Sequence, residues 1–263
     1  LLMLSWLVEK GQPIGRIANL DEHELQRQLS VLEAGDQKEA TQIAVPAHQQ
    51  IQDALLKSVL ESAKRYDIEA CCTALAAAVI GMNIDDLMTS VCSPIMQAIG
   101  DEWQAGRLNE AQEHIIGIAF TSFFLPRITS SLNRQRAPAV VFATFSDEQH
   151  QMGLLFLASM AATRNIRCFY LGPNLPEQSI AQAANQVNAS VICISVVKKV
   201  SPKRLADRIQ NLRKMIDSET EIWLGGFGLN DVDVSGLPPG CIVHRHDSMI
   251  AALDRLARLY TAA

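Results

Sequence analysis

The chain has 263 residues, of which 48% are hydrophobic and 19% charged, and its formal net charge is -5. That length suits one large domain or two ordinary ones, and the acidic balance gives this chain no electrostatic footprint for nucleic acid. No run approaches the roughly 18 consecutive apolar residues of a membrane span, and Leu1 to Val8 followed by Glu9-Lys10-Gly11-Gln12-Pro13 does not read as a signal peptide.

Residues 1–32 read as short helices. Leu1, Leu4, Leu7 and Val8 fall at helical spacing, Gly11-Gln12-Pro13 ends that run, and Asp21 caps a piece from Glu22 to Leu32. The chain starts inside an apolar pattern without a methionine, so it is expected to be a piece of a longer protein. Residues 33–47 are polar, carry Gly35 and Pro46, and read as a linker. From residue 48 to 136 glycine and proline become rare. Helices are expected over Ile51–Arg65, Ile68–Gly81, Ile84–Trp103 with a kink at Pro94, and Asn109–Leu132. Their short connections imply a four-helix bundle.

The texture changes over 137–263. Strand-like runs at Ala139–Phe145, Arg167–Leu171, Ser190–Val197, Glu221–Leu224 and Cys241–His244 alternate with helical ones at Gly153–Arg164, Glu177–Val187, Pro202–Ile216 and Asp247–Tyr260. This alternation predicts a five-stranded, parallel, doubly wound sheet of the flavodoxin-like kind. No GxGxxG or Walker A sequence follows the first strand, so a dinucleotide or nucleoside triphosphate has no support. Cys71, Cys72, Cys92, Cys168, Cys193 and Cys241 form no Cys-x-x-Cys pair and sit mostly in apolar runs. They read as reduced thiols of a cytoplasmic protein.

The polar stretch Ser146–Gln151 lies on the first strand-to-helix loop, which in such sheets opens onto the crevice at the carboxyl ends of the strands. A lone loop histidine is ordinarily just solvated. Here Glu148 stands two residues before His150 and can hold its second ring nitrogen, as carboxylates do for metal-bound imidazoles. Gly153, three residues on, lets a bulky planar group approach the backbone. Two further openings fall on the same edge: Ser195-Val196-Val197 at the end of strand three and Gly225-Gly226 at the end of strand four. Glycines there let a ligand lie against bare backbone, although they also suit a plain turn. In the bundle, Trp103 is followed after nine residues by Glu113-His114. A short turn between two helices would bring an apolar cap beside two hydrogen-bonding groups.

These motifs together, Trp103-x9-Glu113-His114, Glu148-x-His150-x-x-Gly153, Ser195-x-Val197 and Gly225-Gly226, resemble the cobalamin-binding half of the CarH/LitR group of MerR-type regulators. The segment Trp6 to Leu20 looks like the last helices of a MerR winged-helix domain, so residues 1–32 would be its remnant, 48–136 a cap domain and 137–263 the cobalamin-binding domain. The Glu-x-His-x-x-Gly part alone is shared with corrinoid methyltransferases.

The resemblance implies that His150 ligates cobalt from below and that the nucleotide tail passes Ser195, Val197, Gly225 and Gly226. Trp103 would cover the upper face, and Glu113 and His114 would contact the upper adenosyl group. It further implies a tetramer, loaded with adenosylcobalamin in the dark, that represses transcription on operator DNA and falls apart in light. Contact with operator DNA would need the helix-turn-helix, which this chain does not carry. A second departure is Gln104, where well-known light sensors of the group have a histidine that captures cobalt after photolysis. Water, hydroxide or His114 could take that position. Two other readings stay open: a corrinoid methyl carrier of a methyltransferase system, and a cofactor-free oligomerisation module.

Overall fold

The computed structural model describes residues 49–80, 82–134, 136–230 and 232–261. The remnant at 1–32 and the linker at 33–47 lie outside them. Residues 54–263 form one unit and residues 1–53 another.

Among the described residues four helices come first. Helix α1 spans 49–64 and α2 spans Ile68–Val79, with the Asp67 side chain accepting the Ala70 N–H at its start. Helix α3 is continuous from Ile84 to Gln104, in three segments: Ile84–Asp86, a π-helical stretch Leu87–Cys92, and Ser93–Gln104. The expected kink at Pro94 is thus a widened turn just before it. Proline has no N–H to give, and the Ser93 N–H instead reaches the Met88 carbonyl five residues back, where the Ser93 hydroxyl also donates at 2.7 Å. Helix α4, Glu110–Ser130, opens with a full capping box between Asn109 and Gln112.

Apolar length was not expected to reach that of a membrane span, yet the stretch Glu110–Asn133 is long and apolar enough by composition. Its Ile116, Ala119, Phe120, Phe124 and Ile128 are buried in the fold.

The second half folds as predicted. Strands β1 (Ala139–Phe145), β2 (Arg167–Leu175), β3 (Val191–Ser195), β4 (Glu221–Gly225) and β5 (Cys241–Val243) form a parallel sheet in the order β2-β1-β3-β4-β5. Helices α5 (Met152–Ala162), α6 (Glu177–Gln186), α7 (Pro202–Met215) and α8 (His246–Thr261) follow the first, second, third and fifth strands. Alternate side chains of each strand feed opposite faces. Val141, Ala143, Ile192, Ile194, Ile222 and Leu224 pack with α6 and α7 residues such as Ile180, Leu205 and Ile209.

Two strand ends differ from the sequence reading. Strand β2 runs four residues past Leu171 through a register shift, with Gly172 and Asn174 at positive φ. It is an edge strand, where Pro173 is tolerated. Strand β3 stops at Ser195 rather than Val197 because the Val197 and Lys198 N–H groups turn away from the ladder to another acceptor.

The direction of three helices positions the bundle residues. Arg134 donates to the Ala162 carbonyl at the end of α5 (2.5 Å), and Phe120 and Phe124 of α4 both sit 6.0 Å from the Phe156 ring. Helices α4 and α5 therefore run side by side in the same direction, and the first turns of α4 lie toward the end where α5 begins. Helix α3 runs the opposite way. Asp85, in its first turn, receives Arg164, just beyond the last turn of α5, at 2.8 Å. Arg164 also donates to Asp254 of α8 at 2.7 Å, and these two carboxylates raise the guanidinium pKa. Trp103, at the far end of α3, thus belongs to the same end of the molecule as His150.

Candidate functional site

The loop after β1 is held from several sides. Asp147 sits at φ 71°, where its N–H donates to Asn174 Oδ1 at 2.9 Å. The Asn174 N–H donates to the Glu148 carbonyl at 3.1 Å, and the Thr144 hydroxyl to the same carbonyl at 2.6 Å. Lys198 Nζ donates to the Asp147 carbonyl at 2.6 Å, and Arg208 Nη1 to that of Ser146 at 2.9 Å. The loop can hold one conformation because β2, the β3–α7 connection and α7 each supply a tie.

Glu148 is the centre of this arrangement and is only 7% exposed. Its Oε2 accepts the N–H groups of Val197 (2.9 Å) and Lys198 (2.7 Å). Its Oε1 accepts the His150 N–H at 3.1 Å and faces His150 Nδ1 at 2.6 Å. Burial alone would raise the carboxyl, but the Lys198 N–H, the His150 side chain and the His150 and Val197 N–H groups outweigh it and hold it below the usual carboxylate range. Glu148 is therefore an acceptor only. Nδ1 carries the hydrogen of this contact, so in the neutral ring the lone pair lies on Nε2, on a side chain that is 57% exposed. This is the tautomer and the second-sphere contact that a metal-bound imidazole needs.

Gly153, in the first turn of α5, has no atom within 4 Å of where a Cβ would stand, so the space beside it is open. Among the described residues no three His, Cys, Asp or Glu side chains converge on one point. A single imidazole holds a metal firmly when the metal brings its other donors, as cobalt does in a corrin ring. The donor set and the open approach at Gly153 fit that group.

The structure gives the glycines that follow β4 a second reason. Gly226 lies at φ 117°, and a Cβ there would meet the Val196 carbonyl oxygen at 2.2 Å. At Gly228 a Cβ would meet the Lys198 carbonyl at 2.5 Å. The missing side chains let the ends of β3 and β4 press together, backbone on backbone. Ser195 pairs in register with Gly225, whose carbonyl accepts the Val196 N–H at 2.8 Å.

The bundle residues are less constrained. Trp103 is 50% exposed. Gln104, the last residue of α3, is exposed. Glu113 and His114 approach each other at 3.7 Å with both side chains well solvated. The structure places Glu148 against His150 as the spacing suggested, while Val197, expected beside the nucleotide tail, donates its N–H to Glu148. Sequence reasoning missed Lys198, Asn174 and Thr144, because two of these act through the backbone N–H and a main-chain donor has no residue-type signature.

All six cysteines are free thiols, and burial pushes Cys92 and Cys168 up to about 12, so these two are packing residues.

Residues 51–122 match a family model described as the B12 binding domain. Over 171 residues, or 65% of its length, the chain is 25% identical to the HTH-type transcriptional repressor CarH of Myxococcus xanthus, and the match takes in 56% of that relative. The fold is similar to that of the Methanosarcina barkeri monomethylamine corrinoid protein, with a TM-score of 0.56 and 17% identity over 80% of this chain and 97% of the other. A cobalamin-binding protein from Desulfitobacterium hafniense DCB-2 aligns with a TM-score of 0.38 and 15% identity over 77% of this chain and 97% of that one. The helical part thus matches the pattern of a B12 binding domain, and the fold is similar to that of a corrinoid protein.

Proposed function

We propose that this chain is the sensing part of a cobalamin-dependent, light-responsive transcriptional regulator. The observation that carries the cofactor assignment is the buried Glu148 carboxylate, which faces His150 Nδ1 at 2.6 Å and leaves Nε2 free to ligate cobalt. The likeness to a transcriptional repressor supports the regulatory half of the reading.

Bound adenosylcobalamin would supply a cobalt–carbon bond that light can cleave. The chain's own residues hold the cofactor from two sides. His150 would hold the cobalt from a loop tied to β2, to the β3–α7 connection and to α7, and Ser195, Val197, Gly225 and Gly226 would line the tail. Trp103 would shield the upper face from water, and Glu113 and His114 would present an acceptor and an imidazole to the upper group. Differential affinity of this upper side for the intact cofactor sets the balance between a tetramer that holds operator DNA and a dissociated form. DNA contact is made through a segment beyond the described residues, and the protein works in the cytoplasm. Gln104 offers an amide, a weak donor to cobalt, so it would not replace the histidine with which light sensors of the group capture cobalt.

The test is to load the full chain with adenosylcobalamin in the dark and to record absorbance and size-exclusion profiles before and after green light. A cobalamin-bound complex that loses its assembly state on illumination supports the proposal. Binding with a photoconverted spectrum and no change of assembly would favour a methyl carrier, and no binding would end both. In His150→Ala the spectrum should shift toward water-ligated cobalt; a spectrum matching the parent would refute the ligand assignment.

A further inference from the structure

The ladder between β1 and β2 is broken beside the histidine loop. Ala143 pairs with Gly172 and Phe145 with Leu175, so Pro173 and Asn174 together stand opposite the single residue Thr144. Bulges of this kind occur beside functional sites, where they re-aim the chain. Asn174 stands at φ 63°, in the left-handed region. Its N–H leaves the ladder and goes to Thr144 Oγ1 at 2.9 Å and to the Glu148 carbonyl at 3.1 Å.

Thr144 is the one polar residue of β1 and is fully buried. A buried hydroxyl costs stability unless it is bonded. This one accepts the Asn174 N–H and donates to the Glu148 carbonyl at 2.6 Å. The Asn174 N–H takes a lone pair of the oxygen, so the hydroxyl hydrogen is directed at Glu148. Thr144, Asn174 and Glu148 thus close a small ring of hydrogen bonds. A valine would fill nearly the same space and suits a buried strand as well, so packing does not explain the hydroxyl.

Its effect falls on Glu148. The main chain of that residue is held from β1 and β2, and its carboxylate from Val197 and Lys198. Held at both ends, the side chain keeps Oε1 on His150 Nδ1 at 2.6 Å. Resting on the assignment of His150 to cobalt above, we propose that Thr144 is a positioning residue for that ligand: its hydroxyl pins the β2 bulge to the Glu148 main chain and so fixes the tautomer and aim of the imidazole.

The experiment uses the full chain with Thr144→Val and Thr144→Ser. In the apo protein, nitrogen-15 NMR of labelled histidines reports which ring nitrogen carries hydrogen, and the His150 signals are those absent from His150→Ala. The parent and Thr144→Ser should carry it on Nδ1, whereas in Thr144→Val the ring should exchange between both tautomers. In absorbance titrations Thr144→Val should raise the Kd for cobalamin about tenfold, and Thr144→Ser should stay within about twofold of the parent. Should Thr144→Val not fold, Thr144→Cys, a small side chain with only a weak donor, takes its place with the same expectation. A valine variant that melts lower yet keeps the Nδ1 hydrogen and the parent's Kd overturns the proposal, and so does a serine variant as impaired as the valine one. Failure of the parent to bind cobalamin would instead strike at the function proposed above, and the apo ring measurement would still decide for or against Thr144.

Discussion

The two sides of the proposed cofactor site are built differently. Below, Glu148 is 7% exposed and makes four contacts, and the loop around it is tied to β2, to the β3–α7 connection and to α7. Above, Trp103 is half exposed, and the single contact between Glu113 and His114 spans 3.7 Å in solvent. A metal ligand must be aimed before the metal arrives, so its support is made in the fold itself. A cap that has to respond to the identity of the upper group gains from being unsupported without it, because its order then depends on what is bound.

The contrast can be broken most severely from below. In Gly226→Ala the new Cβ would stand 2.2 Å from the Val196 carbonyl oxygen at a φ of 117°. Neither the backbone of β3 nor the turn can yield without moving the N–H groups that hold Glu148. A loss of about 4 kcal/mol or more is expected, a fall of about 10 °C in melting temperature for a unit of this size. Thermal unfolding followed by circular dichroism checks it, and a melt within 2–3 °C of the parent's, roughly 1 kcal/mol, would mean that the turn is softer than its geometry implies.

How much of this was legible in the residues differs between the same two regions. The strand runs and their alternation with helices gave the sheet, since Ala139–Phe145 is apolar throughout and has a buried strand to match. Glu148 and His150 were legible because spacing on a short loop limits where two side chains can go. The role of Gly226 was only half legible. A glycine after a strand signals bare backbone, but only the fold shows that the carbonyl of Val196 fills the space. The π-helical stretch before Pro94 left no trace in composition, because the change is one of hydrogen-bond register, with Ser93 reaching back to Met88. The holding of Glu148 by two main-chain N–H groups 49 and 50 residues away was beyond reach for the same reason.

A subtler change to the lower side is Glu148→Gln. The amide oxygen can still accept from Val197 and Lys198, which leaves the NH2 group facing His150 Nδ1. The ring would then accept at Nδ1 and carry its hydrogen on Nε2, the wrong nitrogen for a metal. Exchanging charged for neutral hydrogen bonds costs about 1–3 kcal/mol of stability. Cobalamin affinity should fall by about 10–100-fold. Denaturant titration and absorbance titration measure the two effects, and undiminished binding would show that Glu148 supports the loop without setting the tautomer.

The smallest effect on the fold belongs to the upper side, and it is the most informative about the comparison. Trp103 stands half in solvent in the last turn of α3, and Gly106, at φ 71°, closes the turn behind it by donating its N–H to the Trp103 carbonyl at 2.9 Å. Trp103→Ala should therefore change stability by about 1 kcal/mol or less. If the ring covers the upper group, the same substitution weakens adenosylcobalamin about tenfold, or 1.4 kcal/mol, while hydroxocobalamin, whose upper ligand is too small to reach the cap, binds as before. The ratio of the two affinities isolates the cap from the histidine loop, because under the proposed assignment both cofactors would use His150 equally. Equal weakening of both would place Trp103 against the corrin ring rather than its upper ligand. A loss of several kcal/mol in the apo protein would show that the cap is as firmly built as the floor.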